Sequence, residues 1–412
     1  MSKQKKEIST KLRFPEFCTH PAWSWDFGNH LFEQISDKKH NCDLPILAIT
    51  QEYGAIPREM INYNVSVSEK GIQSYKVVNI GDFIISLRSF QGGIEYSKYK
   101  GLCSPAYIVL RNSNRNEIDD DFFKQYFKTS SFIFDLTRNL EGLRDGKMIS
   151  YKQFSEILLP KPSLKEQNKI AACLSSIDDL ITLESRKLDT LKNHKKGLIQ
   201  QLFPAEGETL PKIRFKEFRD KPTWKVKSLS EVCEINPSSE RLPETFVYID
   251  LESVENGELQ KKKIIDKKSA PSRAQRLLRD SDIIFQMVRP YQKNNYFFQS
   301  MEDNLRYVAS TGYALLRAHE SHAYLYQYLY NDRFVHRVLE KCTGSNYPAI
   351  NSTHLSEILV EIPEEEEQKK IAECLHILDE SINAQNRKIK SLEAHKKGLV
   401  QQLFPVMVEV NS

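Results

Sequence analysis

The chain has 412 residues, of which 40% are hydrophobic and 28% charged, with a formal net charge of +4 at pH 7. That length is too great for one ordinary domain and suits two or three. No apolar run approaches the roughly 18 residues that a membrane span needs, and the mild positive charge permits a nucleic-acid partner without demanding one.

In chain order, "MSKQKKEIST" is basic but has no apolar stretch behind it, so 1–11 read as a short mobile tail and not a secretory signal. A globular part is expected over 12–160. Within it "ILAIT", "YKVVNIGDFIISL" and "PAYIVL" have the β-branched and aromatic character of strands, broken by Gly and Asn. An aromatic helical stretch follows, "DDFFKQYFKTSSFIFDLT", where Phe123, Phe127 and Phe134 read as core.

A long helix is expected over 161–204. Ile170, Leu174, Ile177, Ile181, Leu188, Leu191, Leu198 and Leu202 recur at three, four or seven, an apolar seam of heptad type. Ser163 and Glu166 make a capping box just after Pro162. The helix stops at "LFP", since proline cannot continue the hydrogen-bond ladder. A second globular part spans 205–361, with strands at "FVYIDL", "DIIFQMV" and "GYALLR" and an aromatic helical stretch holding Tyr324 and Tyr328 as core.

A second long helix is expected over 362–405, with 406–412 as a tail. Its seam is Ile371, Leu375, Leu378, Ile382, Ile389, Leu392, Leu399 and Leu403. It opens on Glu364–Glu367, where acidic side chains suit the positive end of the helix dipole. At 1.5 Å per residue each helix is on the order of 60 Å long, which makes it a spacer.

The two halves repeat one another at an offset of 201. "LRFPEF" from Leu12 returns as "IRFKEF" from Ile213, and "HKKGLIQQLFP" from His194 returns as "HKKGLVQQLFP" from His395. Between 162–204 and 363–405 the copies share 23 of 43 residues without a gap, so this is one large unit present twice. The second seam needs a partner, and the economical one is the first helix, run antiparallel. That arrangement places the globular parts at opposite ends, about a pseudo-twofold axis. Cys173 and Cys374 then lie far apart as small buried residues. None of the seven cysteines forms a CxxC pair, which argues for reduced thiols in a cytoplasm. Gly197 and Gly398 sit inside the helices at about 1 kcal/mol each relative to Ala. They read either as close helix approach or partner docking, or as a tolerated weak spot copied by duplication.

Motifs for chemistry are missing as a group. "GLRDGKM" lacks the spacing and the Ser/Thr of a phosphate-binding loop, "FQGGIEY" is not GxGxxG, and no HExxH or Cys/His metal cluster occurs. "NPSS" at 236–239 is similar to the NPP-aromatic tetrapeptide of amino-methyltransferases but has Ser where the aromatic belongs. His194 and His395 repeat, which suits a structural or partner-contact role better than a single catalytic base.

One polar, aromatic and basic loop falls at the same place in each copy, "LRSFQGGIEYSKYKG" from Leu87 and "VRPYQKNNYFFQ" from Val288. Arg88, Phe90 and Gln91 match Arg289, Tyr291 and Gln292, after which the loops diverge. Arginine can pair bidentately with guanine and Gln or Asn with adenine, while Lys and Tyr serve phosphates. The candidate DNA-binding residues are therefore Arg88, Gln91, Tyr96, Lys98 and Lys100 in the first loop. In the second they are Arg289, Gln292, Lys293, Asn294 and Asn295. The bland alternative is a solvated surface loop of ordinary charge content.

The chain resembles the specificity subunit of type I restriction–modification systems. The residues that carry the likeness are the two "PxxxxEQxxIAxxL"-like helix openings, Pro162–Leu174 and Pro363–Leu375, with the duplicated "HKKGLxQQLFP" ends. "ITQEYGAIPRE" from Ile49 and "GDFIISLRSFQGGIEYSKYKGLCSPAYIVLR" from Gly81 add to it, and the likeness runs from Leu12 to Pro405. It implies an α+β fold in which two mixed β-rich target recognition domains are separated by two long helices in an antiparallel coiled coil, a pseudo-twofold internal repeat. Each domain is then expected to read one half of a split double-stranded DNA site, with the helices fixing the gap. The implied partners are two modification subunits, which methylate adenine with S-adenosylmethionine, and restriction subunits that move and cut DNA using ATP and Mg. The chain itself is expected to be non-catalytic, free of cofactor and metal, cytoplasmic, and part of host defence against foreign DNA. The resemblance departs in one place, since glycines are lacking after Gln292. The competing readings are a coiled-coil scaffold with protein-binding ends and a self-contained methyltransferase or nuclease.

Overall fold

The computed structural model describes residues 10–61, 69–138, 149–238, 240–301, 303, 305–344 and 346–405. Positions 1–9 and 406–412, expected as tails, and the "GLRDGKM" segment at 142–148 lie outside the described residues. The chain divides into two compact units, Met1–Ser185 with Lys388–Ser412, and Arg186–Arg387. Each unit thus holds one globular part, the opening of one long helix and the close of the other. Among the described residues no helix is long and apolar enough to cross a membrane, and no cluster of three or more acidic, His or Cys side chains could hold a metal ion.

In the first unit an antiparallel pair, Ser24–Phe27 with Leu158–Lys161, ties the start of the globular part to the strand that feeds the long helix. A four-stranded antiparallel sheet runs in the order Phe32–Ile35, Ile108–Asn112, Phe83–Ile85, Glu95–Tyr96. The expected strand "YKVVNIGDFIISL" divides in two at Gly81, whose φ of +96° turns the chain between Lys76–Val78 and Phe83–Ile85. The aromatic stretch likewise forms two helices, Asp120–Tyr126 and Ser130–Thr137, each opened by a side-chain cap from Asp119 and Thr129. Phe123 and Phe127 are fully buried, and both meet Phe32, at 5.1 and 5.4 Å, while Phe127 also meets Phe83 edge-on at 5.2 Å. Phe134 is 65% exposed, against the expectation that it is core. On its helix Phe132 and Leu136 face inward, and a residue midway between them points to the opposite side.

The second unit repeats the scheme. Lys225–Ser228 pairs with Leu359–Ile362, and a sheet runs Cys233–Ile235, Tyr313–Ala318, Ile283–Gln286, Tyr296–Phe297. Four more of its strands merge into another sheet, Lys263–Asp266, Thr245–Ile249, Tyr307–Ser310, Ala274–Leu277, in which the two central strands are parallel, and Val254–Glu255 and Glu258–Leu259 form a separate pair. Helices His322–Tyr328 and Asp332–Glu340 cover the first of these sheets, and Tyr324 and Tyr328 are buried as expected.

The long helices run Leu164–Leu202 and Glu365–Leu403, 39 residues each. In the first unit Lys396 Nζ lies 2.6 Å from Asp178 Oδ1 and Lys388 Nζ 2.5 Å from Glu184 Oε1. In the second Lys195 Nζ lies 2.5 Å from Asp379 Oδ1. Residue numbers rise along one helix as they fall along its neighbour, so the packing is antiparallel. Ile170, Leu174, Leu202, Ile371, Leu375 and Leu403 are buried, because the globular parts also cover the helices at these ends. The rest of the seam (Ile177, Ile181, Leu188, Leu191, Leu198, Leu378, Ile382, Ile389, Leu392 and Leu399) is half-buried, as one neighbouring helix shields only one face.

The repeated motifs make repeated contacts. Glu166 and Glu367 of the "EQ" pairs are buried, and each carboxylate takes two hydrogen bonds of 2.7–2.8 Å from Arg13 or Arg214. Ser163 Oγ still accepts from the Glu166 amide at 3.4 Å, but the expected reciprocal arm of the capping box is absent because that carboxylate is turned to Arg13. The following glutamines, Gln167 and Gln368, donate to the carbonyls of Pro162 and Pro363. Leu12 N donates to Gln402 O at 3.0 Å in the first unit, and Ile213 N donates to Gln201 O at 3.0 Å in the second. All the described cysteines are free, with Cys173 and Cys374 half-buried. A Cβ added to Gly197 or Gly398 meets nothing within 4 Å, so close helix approach is not why these positions are glycine.

Candidate nucleic-acid interface

The strands Phe83–Ile85 and Ile283–Gln286 deliver the chain to the two matched loops. Each is fastened just before it begins, because Asp82 and Asp282 are buried and are gripped by Arg111 and Arg317 through two bonds of 2.7–2.9 Å. The same carboxylates cap their own turns, accepting from the amides of Asn79 and Arg279 at 2.7 and 2.8 Å. A buried bidentate pair of this kind holds a loop root in one place.

In the first loop, Ser89 Oγ accepts from Ser86 N and Ser86 Oγ accepts from Arg88 N, which starts a short helix at Ser89–Gly92. Gly93 ends it at φ +79°, and a Cβ there would lie 1.9 Å from the Phe127 carbonyl oxygen, so only glycine fits. Arg88 and Gln91 are exposed on this turn, and Lys98 and Lys100 are exposed on the next one. Tyr96 behaves differently. Its ring is half-buried edge-on against Phe83 at 5.3 Å, and burial pushes its hydroxyl up to about 12. Beside it the buried Glu95 has its carboxyl raised by desolvation, which Lys128 at 2.5 Å opposes.

The second loop is fastened from below by Gln286, which is 2% exposed. Its Nε2 donates to Gln292 Oε1 at 2.9 Å, its Oε1 accepts from Asn294 N at 3.1 Å, and its amide donates to Asn295 Oδ1 at 3.0 Å. Lys293 is also tied down, at 2.9 Å to the Tyr330 carbonyl and 2.7 Å to Asp332, whose carboxyl is lowered first by that bond. The structure therefore separates the second set of candidates. Asn295 is buried, while Lys293 and Asn294 are half-buried and engaged inward. Gln292 is exposed, and Arg289 is half-exposed at the rim.

Arg289 has a left-handed backbone, φ 54° and ψ 55°, and its guanidinium lies 4.3 Å from the centre of the Tyr347 ring. Tyr347 is 63% exposed and Tyr291 50% exposed, and sequence reasoning selected neither as a site residue. Tyr291 was within reach as the repeat of Phe90. Tyr347 is far along the chain, on a segment stitched beneath Arg289 by Arg289 N to Pro348 O at 2.7 Å, and no spacing rule points to it.

The family described as "Type I restriction modification DNA specificity domain" matches residues 29–193 and again 221–394. The chain belongs to this family. The two matches are the two copies of the internal repeat, so this family member carries two recognition domains. Among similar proteins is the type I restriction enzyme MjaVIII specificity subunit of Methanocaldococcus jannaschii, 23% identical over 352 residues, with 82% of this chain and 81% of the relative covered. The putative MjaX specificity subunit of the same organism is 21% identical over 372 residues, with coverage of 85% and 84%. In fold the chain is similar to the type I restriction–modification S subunit from M. genitalium, with a TM-score of 0.59 at 15% identity, covering 97% of this chain and 100% of that one. It is also similar to a chain from a structural study of assembly and conformational transition in a type I restriction–modification system. That likeness has a TM-score of 0.51 at 18% identity, with coverage of 93% and 97%.

Proposed function

We propose that this family member is the DNA sequence-specificity subunit of a type I restriction–modification complex, with 12–160 and 205–361 each reading one half of a bipartite site. The observation that carries this reading is a single anchor presented twice. In each domain an arginine, an aromatic residue and a glutamine sit at offset 201, on a turn whose root is fixed by a buried Asp–Arg pair, and the residues after them diverge. A fixed frame with variable tips suits two readers of different sequences, since base edges specify while other contacts position. In this reading the 39-residue helices, each about 58 Å at 1.5 Å per residue, set the gap between half-sites.

In this reading the chain performs no chemistry and holds no cofactor. The exposed flanks of the helices, open at Gly197 and Gly398, receive two modification subunits that bring S-adenosylmethionine, and restriction subunits bring ATP and Mg. The complex acts in the cytoplasm in defence against foreign DNA. Methylome sequencing of a strain carrying the gene with its modification subunit tests this. A bipartite motif with a fixed gap is expected, and a single continuous motif, or none, defeats the reading.

A further inference from the structure

The second recognition loop holds one cation in an unusual way. Arg289 is stacked on Tyr347 at 4.3 Å, and its guanidinium makes no hydrogen bond or ion pair with the described residues. Its neighbour Lys293, in the same turn and with the same φ of 54°, is by contrast engaged with Asp332 and the Tyr330 carbonyl. The geometry around Arg289 is built from two segments. Val288 and Thr343 both bridge to Ala349, Arg289 N donates to Pro348 O, and Ile350 N donates to Met287 O at 3.1 Å. Tyr347 is thereby fixed under the arginine, while 63% of its surface stays exposed.

An arginine with one face on an aromatic ring keeps its in-plane N–H donors free at the edge, in a fork whose orientation is already set. Two parallel N–H groups match the O6 and N7 acceptors of guanine in the major groove, and no other base offers two acceptors there in that geometry. A bare phosphate contact needs no such platform, since a flexible lysine serves it.

We infer that Arg289, held on Tyr347, reads a guanine in the second half-site, with Tyr347 as the positioning residue. This rests on the proposed function and names the base that one loop of that site recognises. The corresponding place in the first domain is Arg88, which is exposed and likewise makes no bond or ion pair from its guanidinium to the described residues.

The test uses the full chain in complex with its modification subunits. The second half-site is identified as the half that changes when 205–361 are exchanged for those of a relative. Methylation rates are then compared on the cognate duplex and on duplexes with each base pair of that half replaced. The half-site is expected to contain a guanine at which Arg289→Lys, which keeps the charge but loses the fork, reduces discrimination by about ten- to a hundred-fold. The other half-site should stay strict. Tyr347→Ala should relax the same position in part, and Tyr347→Phe, which keeps the stacking face, should retain discrimination. A half-site with no guanine on either strand overturns the inference. So does an Arg289→Lys complex that stays equally strict, or an Arg289→Ala complex that slows equally on every duplex, which marks a phosphate contact. A wild-type complex that modifies no bipartite motif overturns the proposed function along with it, whereas a bipartite motif indifferent to Arg289 overturns this inference alone.

Discussion

Lys195 Nζ lies 2.5 Å from Asp379 Oδ1, and Gln327 Nε2 holds the other oxygen of that carboxylate at 2.6 Å. One aspartate on the second long helix thus joins the first helix to the aromatic helix of the globular part. The same three-way joint recurs in the first unit, where Lys396 and Gln125 hold Asp178 at 2.6 and 2.8 Å. This accounts for the first lysine of each "HKK". It is a half-buried fastener, while the second lysine of each pair is exposed.

Burial lowers the Lys195 ammonium, and Asp379 opposes that shift. Asp379→Ala strands a cation whose side chain is only 12% exposed. The second unit should lose about 3 kcal/mol, which for a domain of this size is a fall in Tm of about 6–12 °C. Adding Lys195→Met should recover part of it. Calorimetry of the single and double variants decides, and a double variant no better than the single would refute the joint.

Trp23 Nε1 donates to Glu166 Oε1 at 3.1 Å, but the indole nitrogen of its counterpart Trp224 is buried without a partner among the described residues. Replacing each tryptophan by phenylalanine should therefore give unequal results. Trp23→Phe loses a bond to a charged group and should cost about 1.5–3 kcal/mol beyond the shape change, whereas Trp224→Phe removes an unsatisfied donor and should cost clearly less. Urea unfolding of the two variants checks the order, and equal losses would contradict it.

Burial pushes the thiols of Cys103 and Cys233 up to about 12 from 9.0. At pH 8 iodoacetamide should label the exposed Cys18 and Cys42 in the native protein and spare these two, as mass spectrometry of peptides will show. Because the folded values are raised, these thiols contribute stability that is whole below pH 9 and is lost as the pH climbs towards 12. Cys103→Ser should not reproduce that alkaline loss at its own site.

Removing 183–189 and 384–390 deletes one heptad from each helix at matched places, 201 residues apart in the natural chain. The shortening is about 10 Å, close to three base pairs at 3.4 Å each. Methylome sequencing should report the same two half-sites with a smaller gap. An unchanged gap in a folded variant rules out the helices as the spacer.

The helices and the repeat were legible in the sequence because both are one-dimensional signals, a heptad seam and a fixed offset. The strands were legible as apolar runs, but their grouping was not. Gly81 divides one run between two sheets, and only tertiary pairing shows that the second unit gathers four strands where the first keeps two pairs. In the loops, composition identified Arg88, Gln91, Arg289 and Gln292, which lie at the surface or its rim. It could not tell display from repair. A tight turn must satisfy its own buried polar groups, and Asn294 and Asn295 are taken up in that task, while Lys293 is tied to Asp332 and the Tyr330 carbonyl. Tyr347 was invisible for the opposite reason, since its place under Arg289 is set by a return of the chain and not by local spacing.

The bond from Leu12 N to Gln402 O has its twin in Ile213 N to Gln201 O, yet the second pair is joined by a short stretch of chain and the first is not. The repeat is therefore cyclic in its contacts although the chain is linear. A copy of 203–212 inserted between 403 and 12 would bridge the same distance that the natural segment bridges. New ends could then be opened at 204–212, giving a circular permutant in which the second domain comes first. With the ends opened beyond Glu208, the Arg333 bonds to the carbonyls of Ala205 and Glu208 stay in place, so these contacts do not fix the order of the two domains along the chain.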